Sequence, residues 1–277
     1  MPKLNAFQLK WIAIIGMIAN HIVIGWWDII PTWLAIPLYA AGGLTFPIMA
    51  YFVVEGYKHT RSLGKYMSRL ALFGLIALPF HALAFGAVGM NIMFTIVVSL
   101  FCLWLYDKLA KARWLFWILF VIICLFTAWP FFFDWSIIGL IVVMMTYIIQ
   151  DEKRRRTLPA VVAGLFFFVP TVLGLLGAHM AQQGGEIKMA IDIPGVDLTD
   201  TTFMMVTCTF VIGCIVAALL LRNFNGDRGK RMKWAFYVVY PLHLAVIGLI
   251  AWLVLNTTSP QIVWENTLAL RALFGLG

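Results

Sequence analysis

Three histidines sit inside apolar segments of this 277-residue chain: His21 in GMIANHIVIG (16–25), His81 in ALPFHALAF (77–85) and His243 in FYVVYPLHL (236–244). A neutral imidazole titrates near physiological pH and can take or relay a proton, so each is a candidate general base. The same ring can act as a nucleophile, through an acyl-histidine. A plainer role accounts for them too, because buried histidine and asparagine also hydrogen-bond one membrane helix to the next. Asn20 adjoins His21 but points about 100° away from it on a helix, so it is poorly placed to orient that ring. It suits a ligand amide or carbonyl, or a helix contact.

A second constellation is EGYKHTRS (55–62), where Glu55 is followed by Lys58, His59 and Arg61, and then by Lys65 and Arg69. Such a row could neutralise the oxygens of a polyphosphate. A solvated helix end with Glu55 paired to a nearby cation explains the same residues. Asn91 and Asp134 each open an apolar run, where N-capping is sufficient reason for both. No metal is expected. The three histidines above lack an i,i+4 spacing, and Cys102, Cys124, Cys208 and Cys214 lie singly in apolar runs as packing residues.

The elements that must hold these groups follow from composition. Hydrophobic residues make up 63% of the chain and charged ones 12%, against about 25% charged in a soluble domain. Apolar runs recur throughout, and about 20 apolar residues cross a bilayer. Nine spans are predicted, at 8–28, 33–56, 66–86, 90–107, 113–131, 135–150, 158–179, 202–222 and 234–256. Lipid-facing segments of this length must be helical to satisfy their own backbone. The fold class is therefore an all-α, polytopic helical bundle forming a single domain over 1–277. The tail 261–277, with Glu265 and Arg271, reads as a half-span or surface helix.

Charge sets the orientation. Of the 20 lysines and arginines, all but Lys188 and Arg271 fall at the N-terminus or in alternate connections (58–69, 107–113, 151–156 and 222–233). The positive-inside rule makes that face, and the N-terminus, cytoplasmic. The net charge of +8 thus reports topology, and a nucleic-acid partner is not expected; a basic face of this kind attracts an anionic cosubstrate. His21 lies about 20 Å along the first span at 1.5 Å per residue, in the outer half. His81 also falls in an outer half, and His243 near the midplane. The longest segment on the other face, 181–201, suits a lid or acceptor-facing loop, and Pro47, Pro79 and Pro241 predict kinks within spans.

Six segments in order, FQLKWIAIIGMIANHI (7–22), GGLTFPIMAYFVVEGYKHTRS (42–62), KYMSRLALFGLIALPFHALAF (65–85), NIMFT (91–95), DWSIIGLIVVMMTYI (134–148) and FYVVYPLHL (236–244), resemble the TraX family. The resemblance implies a membrane-embedded acyltransferase of the bacterial inner membrane, related to F-pilin acetylases. It would use acetyl-CoA as donor and a peptide N-terminus, a cell-surface glycan or a small molecule as acceptor. It also implies His21 and His243 as catalytic histidines, with Asn91 and Glu55 matching a family amide and carboxylate. One departure stands out: relatives commonly carry Asp-His in the first helix, whereas this chain has Asn20-His21. In such chemistry the phosphates of the donor meet Lys58, His59, Arg61, Lys65 and Arg69, a histidine deprotonates the acceptor, and Asn91 or Tyr240 donates to the oxyanion, with His81 in support. The alternatives are a secondary transporter or proton-coupled carrier, whose histidines relay protons, and an assembly partner with inert polar contacts.

Overall fold

The computed structural model of the protein describes residues 3–86, 89–129, 132–182, 201–230 and 233–255. The acidic part of the 181–201 segment and the tail 261–277, with Lys188 and Arg271, lie outside the described residues. The named elements are all helices: α1 (Ala6–Gly25), α2 (Thr32–Gly42), α3 (Thr45–His59), α4 (Leu63–Phe85), α5 (Ile92–Lys108), α6 (Arg113–Ala128), α7 (Ser136–Ile148), α8 (Glu152–Gln182), α9 (Thr201–Cys208), α10 (Phe210–Arg222) and α11 (Lys233–Ile250). A π turn, Ala251–Leu255, follows α11.

Each apolar run of the sequence becomes helical, but the runs differ in length. Six stretches are long and apolar enough to cross a membrane: Ala6–Gly25, Thr32–His59, Leu63–Phe85, Glu152–Gly177, Thr201–Arg222 and Trp234–Leu253. Helices α5, α6 and α7 have 17, 16 and 13 residues. At 1.5 Å per residue they measure about 26, 24 and 20 Å, short of a hydrocarbon core of about 30 Å. Hydropathy alone does not reveal this, because the flanking apolar residues go into caps and turns. The exposed surface is nonetheless that of a membrane protein. On α6, Trp114, Ile118, Val121, Ile122 and Leu125 are each more than half exposed, a face that lipid accommodates and water does not.

The chain forms two compact units, each assembled from three separate segments. One comprises Met1–Val23, Asp28–Phe52 and Met145–Lys230; the other comprises Ile24–Trp27, Val53–Met144 and Arg231–Gly277. In the first unit, Asn5 and Gln8 form a capping box that starts α1: the Asn5 amide donates to Gln8 Oε1 and the Gln8 amide to Asn5 Oδ1, both at 3.0 Å. Leu9 and Ala13 then bury against Ile48, Tyr51 and Phe52 of α3 and Ala217 and Leu221 of α10. Close backbone approach is possible because the crossing points are glycine. A Cβ on Gly213 would lie 1.9 Å from the Ala40 carbonyl oxygen, and one on Gly43 2.2 Å from that of Phe210. Small residues let membrane helices pack by van der Waals contact where no hydrophobic drive separates helix from lipid.

The second unit centres on α4, which packs against α5 and α11, while α5 packs on α6. Ser62 caps α4, accepting from the Lys65 amide at 3.4 Å, and Gly86 ends it with φ +67° in the left-handed region. Gly74 lacks a side chain where α5 comes closest, with Met93 Cβ 3.1 Å from the position a Cβ would occupy. Gly248 of α11 meets α4 in the same way, 2.9 Å from the Ala84 nitrogen. Thus α4 is held on two sides by helices near enough to bring polar side chains to its C-terminal half.

Candidate active site

His81 lies on the last turns of α4 and is 6% exposed. Its Nε2 is 3.2 Å from Asp134 Oδ2. An ionised carboxylate only accepts, so a neutral ring in this contact would donate from Nε2 and carry its lone pair on Nδ1. That Nδ1 is buried and has no hydrogen-bond partner. The edge of the ring meets Phe85, with centroids 4.9 Å apart.

Asp134 reaches His81 because its loop is clamped. The Asp134 amide donates to the Met90 carbonyl at 2.8 Å, and the Phe133 amide to that of Thr127 at 3.0 Å. Thr95 Oγ1, buried on α5, donates to the Asp134 carbonyl. Gly89 leaves room for the loop, since a Cβ there would sit 2.7 Å from the Phe132 carbonyl oxygen. Two residues of this short connection, Phe132 (φ +43°) and Trp135 (φ +60°), adopt left-handed backbone. That conformation costs roughly 1–2 kcal/mol per non-glycine residue. Beyond the cap position expected of it, Asp134 presents a carboxylate oxygen to His81.

Asn91 does cap α5, accepting from the Met93 amide at 3.1 Å, and its Nδ2 donates to the Gly74 carbonyl at 2.8 Å. Its amide joins α5 to α4, which leaves Tyr240 as the candidate oxyanion donor with an unengaged group. Tyr240 is 2% exposed, and its hydroxyl has no hydrogen-bond partner. It lies beside the Ile92 amide, short of hydrogen-bond geometry, and within electrostatic reach of Asp134. His243, one turn further along α11, stands with its ring centroid 5.5 Å from that of Tyr240. Its Nδ1 donates to the Val239 carbonyl at 2.9 Å, and His81 lies within electrostatic reach. The structure thus brings together His81, His243, Tyr240 and Asn91 of the expected residues. It adds Asp134 and Thr95, which sequence reasoning missed because their partners are 53 and 39 positions away.

The basic residues expected to meet a donor belong to the same unit. Glu55 ends α3 with His59 3.9 Å from its carboxylate, and His59 Nδ1 lies 2.8 Å from the Glu55 carbonyl oxygen. Lys58, Arg61 and Lys65 are exposed; Arg69 is half-buried, with an Nε that is buried and unpartnered. His21 and Asn20 belong to the other unit, on α1. His21 is half-buried. Asn20 packs on Gly42, where a Cβ would lie 2.6 Å from its own Cβ, and its buried Nδ2 has no partner. Among the described residues, no group of three or more His, Cys, Asp or Glu side chains is placed to hold a metal ion.

That first unit also holds a polar cluster the sequence did not reveal. Glu152 accepts from Tyr51 at 2.7 Å, Arg155 at 2.9 Å and Arg156 at 2.7 Å. Arg155 donates further to the Thr146 carbonyl, and Arg156 to those of Leu221 and Phe224. Both guanidinium groups face the Tyr51 ring, at 4.6 and 5.7 Å from its centroid.

The chain is 27% identical over 262 residues to "Probable fimbrial assembly protein FimC, serogroup H1" of Dichelobacter nodosus, covering 88% of this chain and 94% of the relative. No solved structure matches it. The family model described as TraX protein matches residues 6–251, nearly the whole chain. This all-helical membrane protein belongs to the TraX family.

Proposed function

We propose that the protein is an integral-membrane acyltransferase that moves an acetyl group from acetyl-CoA to an amine or hydroxyl acceptor. One observation carries this reading: within an apolar helical unit, His81 Nδ1 on α4 and the Tyr240 hydroxyl on α11, two helices that pack together, are each buried with no hydrogen-bond partner. A buried polar group left unsatisfied costs about 1–3 kcal/mol. A thioester carbonyl and an acceptor N–H or O–H are chemically the missing partners.

The donor's phosphates meet Lys58 and His59 at the end of α3, Arg61 in the turn that follows, and Lys65 and Arg69 on α4. Arg69 and His81 lie on the same helix twelve residues apart, about 18 Å along its axis, a span that suits an extended phosphopantetheine arm. Under the positive-inside rule this basic end is cytoplasmic, with the nine predicted crossings including the short helices α5–α7, in a bacterial inner membrane. His21 and His243 are proposed as further histidines essential to the transfer. The relative's printed role in fimbrial assembly favours the amino group of a fimbrial subunit as acceptor.

The test is transfer by the purified protein. Labelled acetyl-CoA and fimbrial subunits should give an acetylated subunit and free CoA, with transfer lost in His21→Ala or His243→Ala if either ring is essential. Absence of any thioester cleavage, together with solute flux in proteoliposomes, would replace this reading with a carrier.

A further inference from the structure

We infer that the acid–base pair of this chain is His81 with Asp134, in which Asp134 is a positioning residue that holds the proton on Nε2 and leaves His81 Nδ1 as the base. The inference rests on the acyl-transfer reading and names the group that moves the proton in it. Three independent observations converge. The Nε2–Oδ2 distance of 3.2 Å is that of a ring donating from Nε2 to a carboxylate, and Nδ1 is buried without a hydrogen-bond partner. The carboxylate is delivered by a loop with two non-glycine residues in left-handed backbone, Phe132 and Trp135. Strain of this kind persists only where the surroundings over-determine it, and it concentrates at functional sites. Finally, Thr95 and Met90 grip the two main-chain polar groups of Asp134 itself, so the residue is held on both sides. An N-cap needs none of this.

The chemistry balances without another reagent. As the acceptor nitrogen or oxygen bonds to the thioester carbonyl carbon, its proton passes to the His81 Nδ1 lone pair, and the carbonyl π pair moves onto oxygen beside the Tyr240 hydroxyl. The oxyanion then re-forms the carbonyl and the C–S bond breaks, its electron pair leaving with sulfur. The proton on Nδ1 passes to that sulfur, giving CoA thiol, acetylated acceptor and a neutral His81. Asp134 stays ionised throughout and stabilises the transient imidazolium, as an oriented carboxylate does for a histidine base.

The full-length protein with 15N-labelled histidine is compared with Asp134→Asn, Asp134→Glu and His81→Gln, each checked for its melting temperature. The expected result is a roughly 10²- to 10⁴-fold fall in kcat for Asp134→Asn with the KM for acetyl-CoA unchanged. His81→Gln should fall as far, the double variant no further, and Asp134→Glu should recover part of the rate. The 15N spectrum should place the His81 proton on Nε2 in the parent and on a mixture of both nitrogens in Asp134→Asn. Activity within twofold of the parent in Asp134→Asn overturns the inference, as does a parent spectrum with the proton on Nδ1. If the parent transfers no acetyl group at all, the acyl-transfer reading fails, and the spectrum alone decides whether Asp134 sets the tautomer.

Discussion

The two polar clusters of this protein, one in each unit, solve opposite problems. Around Glu152 every strong donor is answered: Tyr51, Arg155 and Arg156 share one carboxylate, and both arginines reach backbone carbonyls as well. Around His81 the bonds stop short, with Asp134 satisfied by the ring while His81 Nδ1 and the Tyr240 hydroxyl face no partner. A closed network stiffens a helix junction and has nothing left to offer a ligand. An open one carries a standing cost that a substrate can remove. The difference separates structural polarity from reactive polarity within one membrane protein.

Tyr240→Phe tests that distinction most sharply after the Asp134 variants. Removing a hydroxyl that makes no hydrogen bond should leave the melting temperature in detergent unchanged or slightly raised. Loss of an oxyanion donor should cost kcat about 10²-fold. A fall in melting temperature with unchanged kcat would place the hydroxyl in a structural role and close the gap between the clusters.

The reverse pattern is expected at Glu152. Arg155 is 7% exposed, and without Glu152 its guanidinium loses its carboxylate. Removing one partner of a fully buried pair costs about 3–5 kcal/mol. The Glu152 side chain is 46% exposed, so water recovers part of that, and about 2 kcal/mol is expected for Glu152→Ala. Reversible unfolding in mixed micelles measures it, while kcat per folded molecule should stay within twofold.

Thr95→Val should act more weakly. It keeps the volume and removes the hydrogen bond to the Asp134 carbonyl, loosening the carboxylate without deleting it. A fall in kcat of about 5- to 10-fold is expected, in line with the 1.4 kcal/mol per decade that one hydrogen bond can supply. In the Asp134→Asn background the same change should do little, because both act through His81. Full additivity would show that Thr95 serves α5 packing instead.

Hydropathy and charge make the helices legible, since each apolar run must satisfy its own backbone in lipid. They do not show where a run stops being one helix. The predicted span 33–56 breaks at Gly43 between α2 and α3, where Gly213 must come within backbone contact. That constraint comes from a residue 170 positions away in sequence. The site divides in the same manner. His81, His243, Tyr240 and Asn91 stand out as polar residues in apolar runs, and Asn91 caps α5 as its position suggests. Asp134 was hidden because an acidic residue before a helix already has a local explanation. Its tertiary partner is invisible to any local spacing rule.

The basic end of α4 should respond least, and in a different parameter. Arg61 and Lys65 are exposed, so each contributes through long-range attraction in water. A single exposed cation is worth about 0.2–1 kcal/mol and is screened over roughly 8–10 Å at physiological salt. Arg61→Gln or Lys65→Gln should therefore raise the KM for acetyl-CoA about 2- to 4-fold with kcat unchanged, and the effect should fade as salt is added. Arg69→Gln should raise KM more and resist salt, because its Nε is buried and unpartnered where solvent ions screen poorly. If all three variants changed kcat equally and left KM alone, the donor would not enter along α4, and the open cluster at His81 would have to be reached from elsewhere.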